Sequence, residues 1–96
     1  MKYRDLRGNL EKKWYVYLLE CRDGSYYCGI TNDLPRRVQQ HNDGNGAKYT
    51  RGRGPVKLLV SAPTDSRSNA QILEAAVKKK RKADKLAFLK SQPNAR

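Results

Sequence analysis

Two aromatic-rich segments on either side of a turn signal constrain the fold of this chain more than any other feature. Residues 15–20 (YVYLLE) and 25–30 (SYYCGI) are rich in the aromatic and branched residues that favour strands. Between them, residues 22–24 (RDG) form a typical turn sequence. The sequence therefore predicts a β-hairpin at the centre of the fold.

The length of the turn decides which side chains of the hairpin share a face. A two-residue Asp23-Gly24 turn places Tyr17 and Tyr27 on opposite faces, because side chains alternate along a strand. A three-residue turn, with Gly24 in the left-handed conformation, shifts the register by one. It groups on one face Tyr17, Leu19, Cys21, Tyr27 and Gly29, and on the other Val16, Leu18, Cys28 and Ile30. This second register separates the residues better, and we predict it.

The rest of the chain predicts three helices and a third strand. Asp33 is a helix N-cap residue, and Pro35 stands in the first turn of its helix. The further elements are predicted at about 34–42 (helix), 56–62 (strand), 67–80 (helix) and 84–89 (helix), with a mobile glycine-rich loop after the first helix. The order β-β-α-β-α-α predicts a small α/β (α+β) domain over 14–90, a three-stranded, mainly antiparallel sheet flanked by helices. A flexible arm (1–13) and a flexible tail (91–96) are expected around it.

The charge of the chain indicates its class of partner. There are 21 Lys and Arg against 9 Asp and Glu, a net charge of +12, which attracts polyanions at long range. Nucleic acid is the first partner to consider. An anionic membrane surface is disfavoured, since the longest apolar run, residues 14–19, is too short to span a bilayer. With no signal peptide visible, we expect a cytoplasmic protein.

The two cysteines, Cys21 and Cys28, do not indicate a metal site. The chain has no further cysteine and a single histidine, fewer ligands than a structural zinc site needs. The two cysteines do not face each other in either hairpin register. Two reduced thiols are therefore expected.

Four kinds of residue with chemical potential each have an ordinary structural explanation when taken alone. Glu74 is the one carboxylate predicted in the middle of a helix, and it can form an exposed i,i+4 pair with Lys78. Arg37 and His41 are four residues apart and share a helix face, where His41 suits the C-terminal end of the helix dipole. The tyrosines of the hairpin are compatible with a core or a stacking surface.

Taken together, these residues resemble the GIY-YIG nuclease superfamily. The resemblance rests on the spacing of Tyr15-Val16-Tyr17, Tyr27-Cys28-Gly29-Ile30-Thr31, Asp33-Leu34, Arg36-Arg37 and His41, and it extends to Glu74. The loop GNGAKYTRGRGPVKLL is also similar to that of small stand-alone bacterial members. The first motif departs from the family pattern, because Gly-Ile-Tyr is Tyr-Val-Tyr here. The late asparagine of many relatives has no assigned counterpart, because Asn94 lies in the predicted tail.

The resemblance implies a metal-dependent phosphodiester hydrolase. Its catalytic residues would be Tyr17, Tyr27, Arg37, His41 and Glu74, with Glu74 as the ligand of a single Mg²⁺ or Mn²⁺. One carboxylate suits an ion that keeps most of its waters, and an arginine can bind phosphate with two parallel hydrogen bonds. Tyr17 would position or deprotonate the water while His41 takes its proton. Tyr27 could share that role or orient the water.

The predicted substrate contacts lie near the second motif and on basic segments. They are Gly29, Thr31, Lys48, Tyr49, Arg51, Arg53 and Lys78. We predict a monomer that cuts DNA with low sequence specificity and prefers single-stranded or branched DNA over duplex, with RNA not excluded. Two alternatives stay open: a binding module of the same fold without turnover, and a basic ribosome-associated protein.

Overall fold

Three antiparallel strands form the centre of the protein, whose computed structural model describes residues 13–96. The strands are β1 (Trp14–Glu20), β2 (Tyr26–Thr31) and β3 (Lys57–Thr64), and the helices are α1 (Leu34–Asn42), α2 (Arg67–Lys78) and α3 (Lys82–Lys90). A single 3-10 turn, Lys48–Thr50, lies between α1 and β3. The sheet order is β2-β1-β3. The predicted fold class and element order are confirmed, whereas the predicted arm falls outside the described residues except for Lys13.

The hairpin adopts the register that requires a three-residue turn. Tyr17 lies opposite Gly29, and Leu19 lies opposite Tyr27. The Cys21 amide donates to the Ser25 carbonyl over 2.8 Å, so that the chain reverses within residues 22–24. Gly24 has a φ of 85°, the left-handed conformation that glycine adopts without steric cost. Tyr17 and Tyr27 therefore share a face, as predicted.

Each face of the sheet buries a separate apolar cluster. Helices α2 and α3 cover the first face, where the buried residues are Val16, Leu18, Cys28, Val60, Ala62, Ala70, Val77 and Leu89. The second face buries Tyr17, Leu19, Cys21 and Val56, and Leu34 and Val38 of α1 pack against it. Strand β1 lies in the middle of the sheet and is buried on both sides, which accounts for its nearly continuous apolar sequence.

Side-chain hydrogen bonds cap the starts of α1 and α2 and the end of α2. The Asp33 carboxylate accepts from the Arg36 amide over 3.3 Å at the start of α1, and Ser66 caps α2 in the same way through Asn69. Helix α2 ends at Lys78, two residues before the predicted end. The Lys85 ammonium donates to the last carbonyls there, those of Val77 and Lys78, each over 3.1 Å. No helix within 13–96 is long and apolar enough to cross a membrane.

The C-terminal residues contact the sheet, although the sequence predicts a flexible tail over 91–96. Arg96 and Ser61 exchange both of their backbone hydrogen bonds, each 2.8 Å long. This pairing occupies part of the free edge of β3, where an unpaired backbone would otherwise face solvent. Strand β3 also continues through Pro63, past its predicted end at residue 62. An edge strand accepts proline because one side of its backbone has no strand partner.

Both cysteines are buried as free thiols, as expected. Cys21 belongs to the cluster under α1, whereas Cys28 belongs to the cluster under α2 and α3. The sheet therefore separates the two sulfur atoms. Burial raises the pKa of the Cys28 thiol to about 12, so this thiol stays protonated at neutral pH.

Candidate active site

A buried hydrogen bond joins the first strand to the first helix. The Tyr17 hydroxyl lies 2.9 Å from Nε2 of His41, and neither side chain is exposed by more than 1%. Tyr17 reaches this position from the middle of β1, and His41 from the last turn of α1. Two residues that are 24 positions apart thus form a polar pair inside an apolar face.

Tyr27 and Tyr49 extend this pair into an aromatic cluster that reaches the surface. The Tyr27 ring centroid lies 5.1 Å from that of His41 and 6.3 Å from that of Tyr17. On its other side, Tyr27 stacks on Tyr49 with a centroid distance of 6.0 Å and an interplanar angle of 25°. Tyr49 is 42% exposed, which leaves part of its side chain free to contact a ligand.

Gly29 makes the close approach of the two tyrosines possible. A Cβ atom at this position would lie 2.6 Å from the Tyr17 hydroxyl oxygen and 2.9 Å from the Tyr27 ring. Real Cβ atoms do not approach other atoms so closely, so any other residue would displace at least one ring. Gly29 therefore has a packing role in addition to its predicted proximity to substrate.

Burial keeps both members of the Tyr17–His41 pair neutral at physiological pH. It raises the pKa of Tyr17 to about 12, although the neighbouring Arg37 guanidinium opposes this rise. Burial also lowers the pKa of His41 to about 4, and the positive charge of Arg37 adds to this effect. The pair is therefore a neutral phenol beside a neutral imidazole. The Tyr17 hydroxyl can donate its proton to Nε2 of His41 while its oxygen accepts a proton from another group.

The low pKa of His41 predicts that stability depends on pH in a defined range. The unfolded chain binds a proton at His41 below pH 6.5, whereas the folded chain does so only below about pH 4. The free energy of unfolding should therefore fall by roughly 3 kcal/mol as the pH decreases from about 6.5 to about 4. Urea unfolding at a series of pH values measures this change.

The same unfolding series in a His41→Gln variant provides the control. The pKa values of Asp23 and Asp65 lie below 3.8 because their hydrogen-bond partners favour the charged carboxylates. Protonation of these two groups therefore destabilises the fold only at lower pH, outside the range of His41. An equal decrease in the variant and the parent protein over this range would contradict the assignment to His41.

Arg37 places a permanent positive charge beside the aromatic cluster. Arg37 lies one helical turn before His41 on the same face of α1, and its charge lowers the pKa of His41 and opposes the rise in the pKa of Tyr17. One of its nitrogens donates to the Gln40 side chain over 3.0 Å, and this contact orients the group along α1. The structure thus brings together four of the five predicted catalytic residues, namely Tyr17, Tyr27, Arg37 and His41.

Glu74 lies on the other side of the sheet from the aromatic cluster. It lies on α2, which covers the face opposite α1, and its carboxylate pairs with Lys78 over 3.1 Å. Its charge nevertheless raises the pKa of Cys28, the residue between Tyr27 and Gly29 in the edge strand β2. The Glu74 side chain is 21% exposed, so it is open to solvent without being fully solvated.

A surface groove connects the two sides at the edge of the sheet. Its volume is about 250 Å³, and its walls are formed by Leu18, Tyr26, Tyr27, Cys28, Tyr49, Lys78 and Lys85. Tyr27 and Tyr49 belong to the aromatic cluster, whereas Lys78 is the ion-pair partner of Glu74. A ligand in this groove would therefore lie between Tyr27 and Tyr49 on one side and Lys78, the partner of Glu74, on the other.

The remaining predicted substrate residues differ in how much of their side chains is available. Lys48, Arg51 and Lys78 are exposed. Arg53 pairs with Asp23 over 3.0 Å, and its guanidinium lies 4.4 Å from the centroid of the Tyr49 ring. Thr31 is buried, and its hydroxyl accepts from the Asp33 amide over 3.0 Å at the start of α1. Arg53 and Thr31 thus have structural contacts, while their contact with a substrate stays a prediction.

Two residues beside His41 were not identified from the sequence as functional. The Thr50 hydroxyl lies 2.8 Å from Nδ1 of His41, and a Cβ atom on Gly46 would lie directly on the imidazole ring. Both residues belong to the loop that the sequence predicts to be mobile, and that loop folds back over α1. A threonine and a glycine in such a loop carry no signal of their own, because only the folded loop brings them to the histidine.

A family model described as the GIY-YIG catalytic domain matches residues 13–87, which include every element of the site. The chain belongs to the GIY-YIG family. A UPF0213 protein from Xanthomonas axonopodis pv. citri is 54% identical over 82 residues, which are 85% of this chain and 80% of that protein. A UPF0213 protein from Streptococcus pneumoniae is 50% identical over 80 residues, 83% of this chain and 81% of its own length.

Solved structures agree with this assignment. The solution structure of the UPF0213 protein BH0048 from Bacillus halodurans is 46% identical, with a TM-score of 0.52 over 84% of this chain and 88% of that one. The solution structure of the protein EF2693 from E. faecalis is 43% identical, with a TM-score of 0.59. The match covers 83% of this chain and 85% of that one. Membership of the GIY-YIG family implies a nuclease, and therefore a nucleic acid partner and, in general, a divalent metal ion.

Proposed function

We propose that this GIY-YIG protein is a metal-dependent endonuclease that hydrolyses DNA with low sequence specificity, preferring single-stranded or branched DNA to duplex. The observation that carries the proposal is the buried hydrogen bond of 2.9 Å between Tyr17 and His41, with Arg37 beside it. A neutral imidazole behind a phenol forms a proton relay. A fixed guanidinium next to that relay can bind the phosphate whose bond is cleaved.

Each residue of the relay has a defined step in this proposal. The partly exposed Tyr27 ring moves to admit the attacking water to the buried Tyr17 hydroxyl. The Tyr17 oxygen then accepts a proton from that water while its own proton passes to Nε2 of His41. The water oxygen forms the new bond to phosphorus, the bond between phosphorus and the leaving oxygen breaks, and the leaving oxygen takes a proton from solvent. The proton held by His41 returns to solvent before the next turnover. Arg37 stabilises the charge that collects on the phosphate oxygens in between. Tyr27 contacts both Tyr17 and His41 and orients the water or shares the transfer.

The environment of Glu74 fits a single Mg²⁺ or Mn²⁺ ion. Within residues 13–96 no group of three or more His, Cys, Asp or Glu residues could hold a metal, and we assign the ion to the carboxylate of Glu74. Such a ligand matches an ion that keeps most of its waters and binds a substrate phosphate. Lys78 already shows that this carboxylate takes a positively charged partner. When bound, the ion supplies Lewis-acid stabilisation of the phosphate charge.

The preference for unpaired DNA rests on the groove beside the aromatic cluster. Tyr49 stacks on Tyr27 and still exposes 42% of its side chain, so an unpaired base can stack on it. Lys48 and Arg51 are exposed near this ring and can contact the backbone of the strand. A monomer with one such site cuts one strand at a time. The described residues offer no separate element for reading a sequence in the major groove.

The decisive experiment compares the cleavage of several substrates by the purified protein. Labelled single-stranded, flap and duplex DNA and a single-stranded RNA of the same sequence are incubated with Mg²⁺, with Mn²⁺ or with a chelator. We expect cleavage only with metal, fastest on the single-stranded or flap DNA. Fastest cleavage of the duplex would reverse the proposed preference. Binding without any product under all conditions would favour the alternative, a module of the same fold that has lost turnover.

The affinity for single-stranded DNA should also fall as the salt concentration rises. The steepness of this fall measures how many basic side chains contact phosphates. Each phosphate contact contributes about −0.7 to the slope of log affinity against log salt for a single strand. With Arg37, Lys48, Arg51 and Lys78 in contact, the slope should be about −3. Fluorescence anisotropy in the presence of chelator measures it without cleavage.

Single substitutions then test which lysines carry that dependence. Lys48→Ala should reduce the slope by about 0.7. The matched control is Lys57→Ala, because Lys57 is also exposed but lies on β3, the edge strand opposite β2. A slope near zero in the parent protein would contradict binding through the phosphates. Equal effects of the two substitutions would contradict the proposed groove.

A further inference from the structure

Both nitrogens of His41 are held by hydroxyl groups inside the protein. Nε2 lies 2.9 Å from the Tyr17 hydroxyl, and Nδ1 lies 2.8 Å from the Thr50 hydroxyl. Thr50 and His41 are each 1% exposed, so water does not compete for these contacts. Gly46 lies directly against the imidazole and leaves no room for the ring to move toward the loop. The orientation of the ring is therefore fixed, and what remains to be determined is which nitrogen carries the proton.

The partners of Thr50 determine the direction of its hydrogen bond to the ring. Its hydroxyl has one hydrogen, and this hydrogen is donated to the Ala47 carbonyl over 2.9 Å. The oxygen then faces Nδ1 with a lone pair and accepts a hydrogen from it. The one donor that points toward Nδ1 instead, the Ala47 amide, lies at the longer distance of 3.4 Å. With the Thr50 hydrogen on the Ala47 carbonyl, these contacts favour a hydrogen on Nδ1.

The partners of Tyr17 lead to the same result from the other side of the ring. The Tyr17 hydroxyl has Nε2 of His41 as its side-chain acceptor within residues 13–96, and the adjacent Arg37 can only donate. If Nε2 carried the hydrogen, the buried phenol would have no acceptor for its own. Unpaired buried donors are strongly disfavoured. Nε2 is therefore the acceptor, and the hydrogen of the neutral ring lies on Nδ1.

We propose that Thr50 is a positioning residue that holds His41 in the Nδ1-protonated tautomer, so that Nε2 is free to take the proton of Tyr17. Thr50 does not touch the reacting atoms, and it acts through His41. Its structural role stands independently, whereas its effect on turnover rests on the proposed nuclease function. Its place in the chain, three residues after Ala47, lets one short 3-10 turn provide both the hydroxyl and the carbonyl that receives its hydrogen.

Nitrogen NMR tests the tautomer directly, because His41 is the single histidine of the chain. In protein with ¹⁵N-labelled histidine at pH 7, the ¹⁵N shifts and two-bond couplings should show a hydrogen on Nδ1 and a lone pair on Nε2. Thr50→Val should shift the ring toward the Nε2-protonated form or a mixture of both, whereas Thr50→Ser should keep the parent tautomer. An Nε2-protonated ring in the parent protein, or an unchanged ring in Thr50→Val, would overturn the proposal.

A matched threonine provides the control for folding. Thr64 is partly buried, and its hydroxyl donates to the Trp14 carbonyl over 2.9 Å at the far end of β1. Thr64→Val should leave the signals of the His41 ring unchanged. The measurement on the parent protein needs no variant, so the proposal can be contradicted even if Thr50→Val does not fold.

Kinetics then separates positioning from a purely structural role. Thr50→Val should lower kcat by about 10–100-fold at an unchanged KM, the size of effect known for partners that orient metal-ligating histidines. Thr50→Ser should restore kcat to within a few-fold of the parent value. In a His41→Ala background, Thr50→Val should cause no further loss, because the residue acts only through the ring. An additive loss in the double variant would show that Thr50 acts otherwise.

If the parent protein cleaves nothing, the proposed nuclease function fails while the NMR result still decides the tautomer. If it cleaves DNA but its ring is Nε2-protonated, the function stands and the role of Thr50 fails. The two conclusions can therefore be contradicted independently.

Discussion

Tyr17→Phe should lower the rate of DNA cleavage by about 10²–10⁴-fold, the range expected when a positioned acid–base group is removed. The substitution keeps the ring that packs against Tyr27 and Gly29 and removes the oxygen that bonds His41. Without that oxygen, the water has no phenol to receive its proton. The proton then cannot pass through Tyr17 to His41. Single-turnover cleavage of labelled single-stranded DNA with Mg²⁺ measures the effect.

The same substitution has a smaller cost in stability, which must be measured alongside. Nε2 of His41 stays buried and loses its donor, a loss of about 1–3 kcal/mol in the free energy of unfolding. Tyr15→Phe is the matched control, because Tyr15 lies on the same strand but beside Pro63 and Arg96, away from the aromatic cluster. Cleavage by Tyr17→Phe at the rate of the control would refute the relay. A larger loss in Tyr27→Phe than in Tyr17→Phe would move the principal role to Tyr27.

Glu74→Gln should abolish metal-dependent cleavage, with a loss of about 10³-fold or more, comparable to the loss of a group that stabilises the charge of a transition state. The amide has the same shape as the carboxylate but no charge with which to hold a divalent ion. Stability should hardly change, since the pair with Lys78 is an i,i+4 contact worth about 0.2–0.5 kcal/mol. Cleavage is measured together with Mn²⁺ binding, followed through the relaxation of water protons.

Glu20→Gln is the control for this carboxylate, because Glu20 ends β1 beside the hairpin turn and has no proposed role. It should keep the parent affinity for Mn²⁺ and the parent rate. Retention of both by Glu74→Gln would remove the glutamate from the mechanism. Loss of cleavage without loss of Mn²⁺ binding would mean that another residue holds the ion.

Much of the fold could be predicted because it depends on short-range rules. The three-residue turn follows from Gly24 and from the alternation of apolar side chains in the hairpin. The start of α1 follows from Asp33 and Pro35. The errors occur where distant residues interact. Helix α2 ends two residues before its predicted end, where Lys85 donates to its last carbonyls, and the C-terminal residues pair with Ser61 on the free edge of β3.

The sequence alone determined which residues of this protein are available for chemistry: two tyrosines on one face of a hairpin, Arg37 and His41 one helical turn apart, and a single mid-helix glutamate. Only the tertiary structure decided how they meet. Burial keeps the Tyr17–His41 pair neutral, the loop brings Thr50 to the other side of the ring, and Glu74 lies on the opposite face of the sheet. The reason is that pKa values, hydrogen-bond directions and access to a groove depend on what surrounds a side chain in space, and the spacing of residues along the chain does not specify those surroundings.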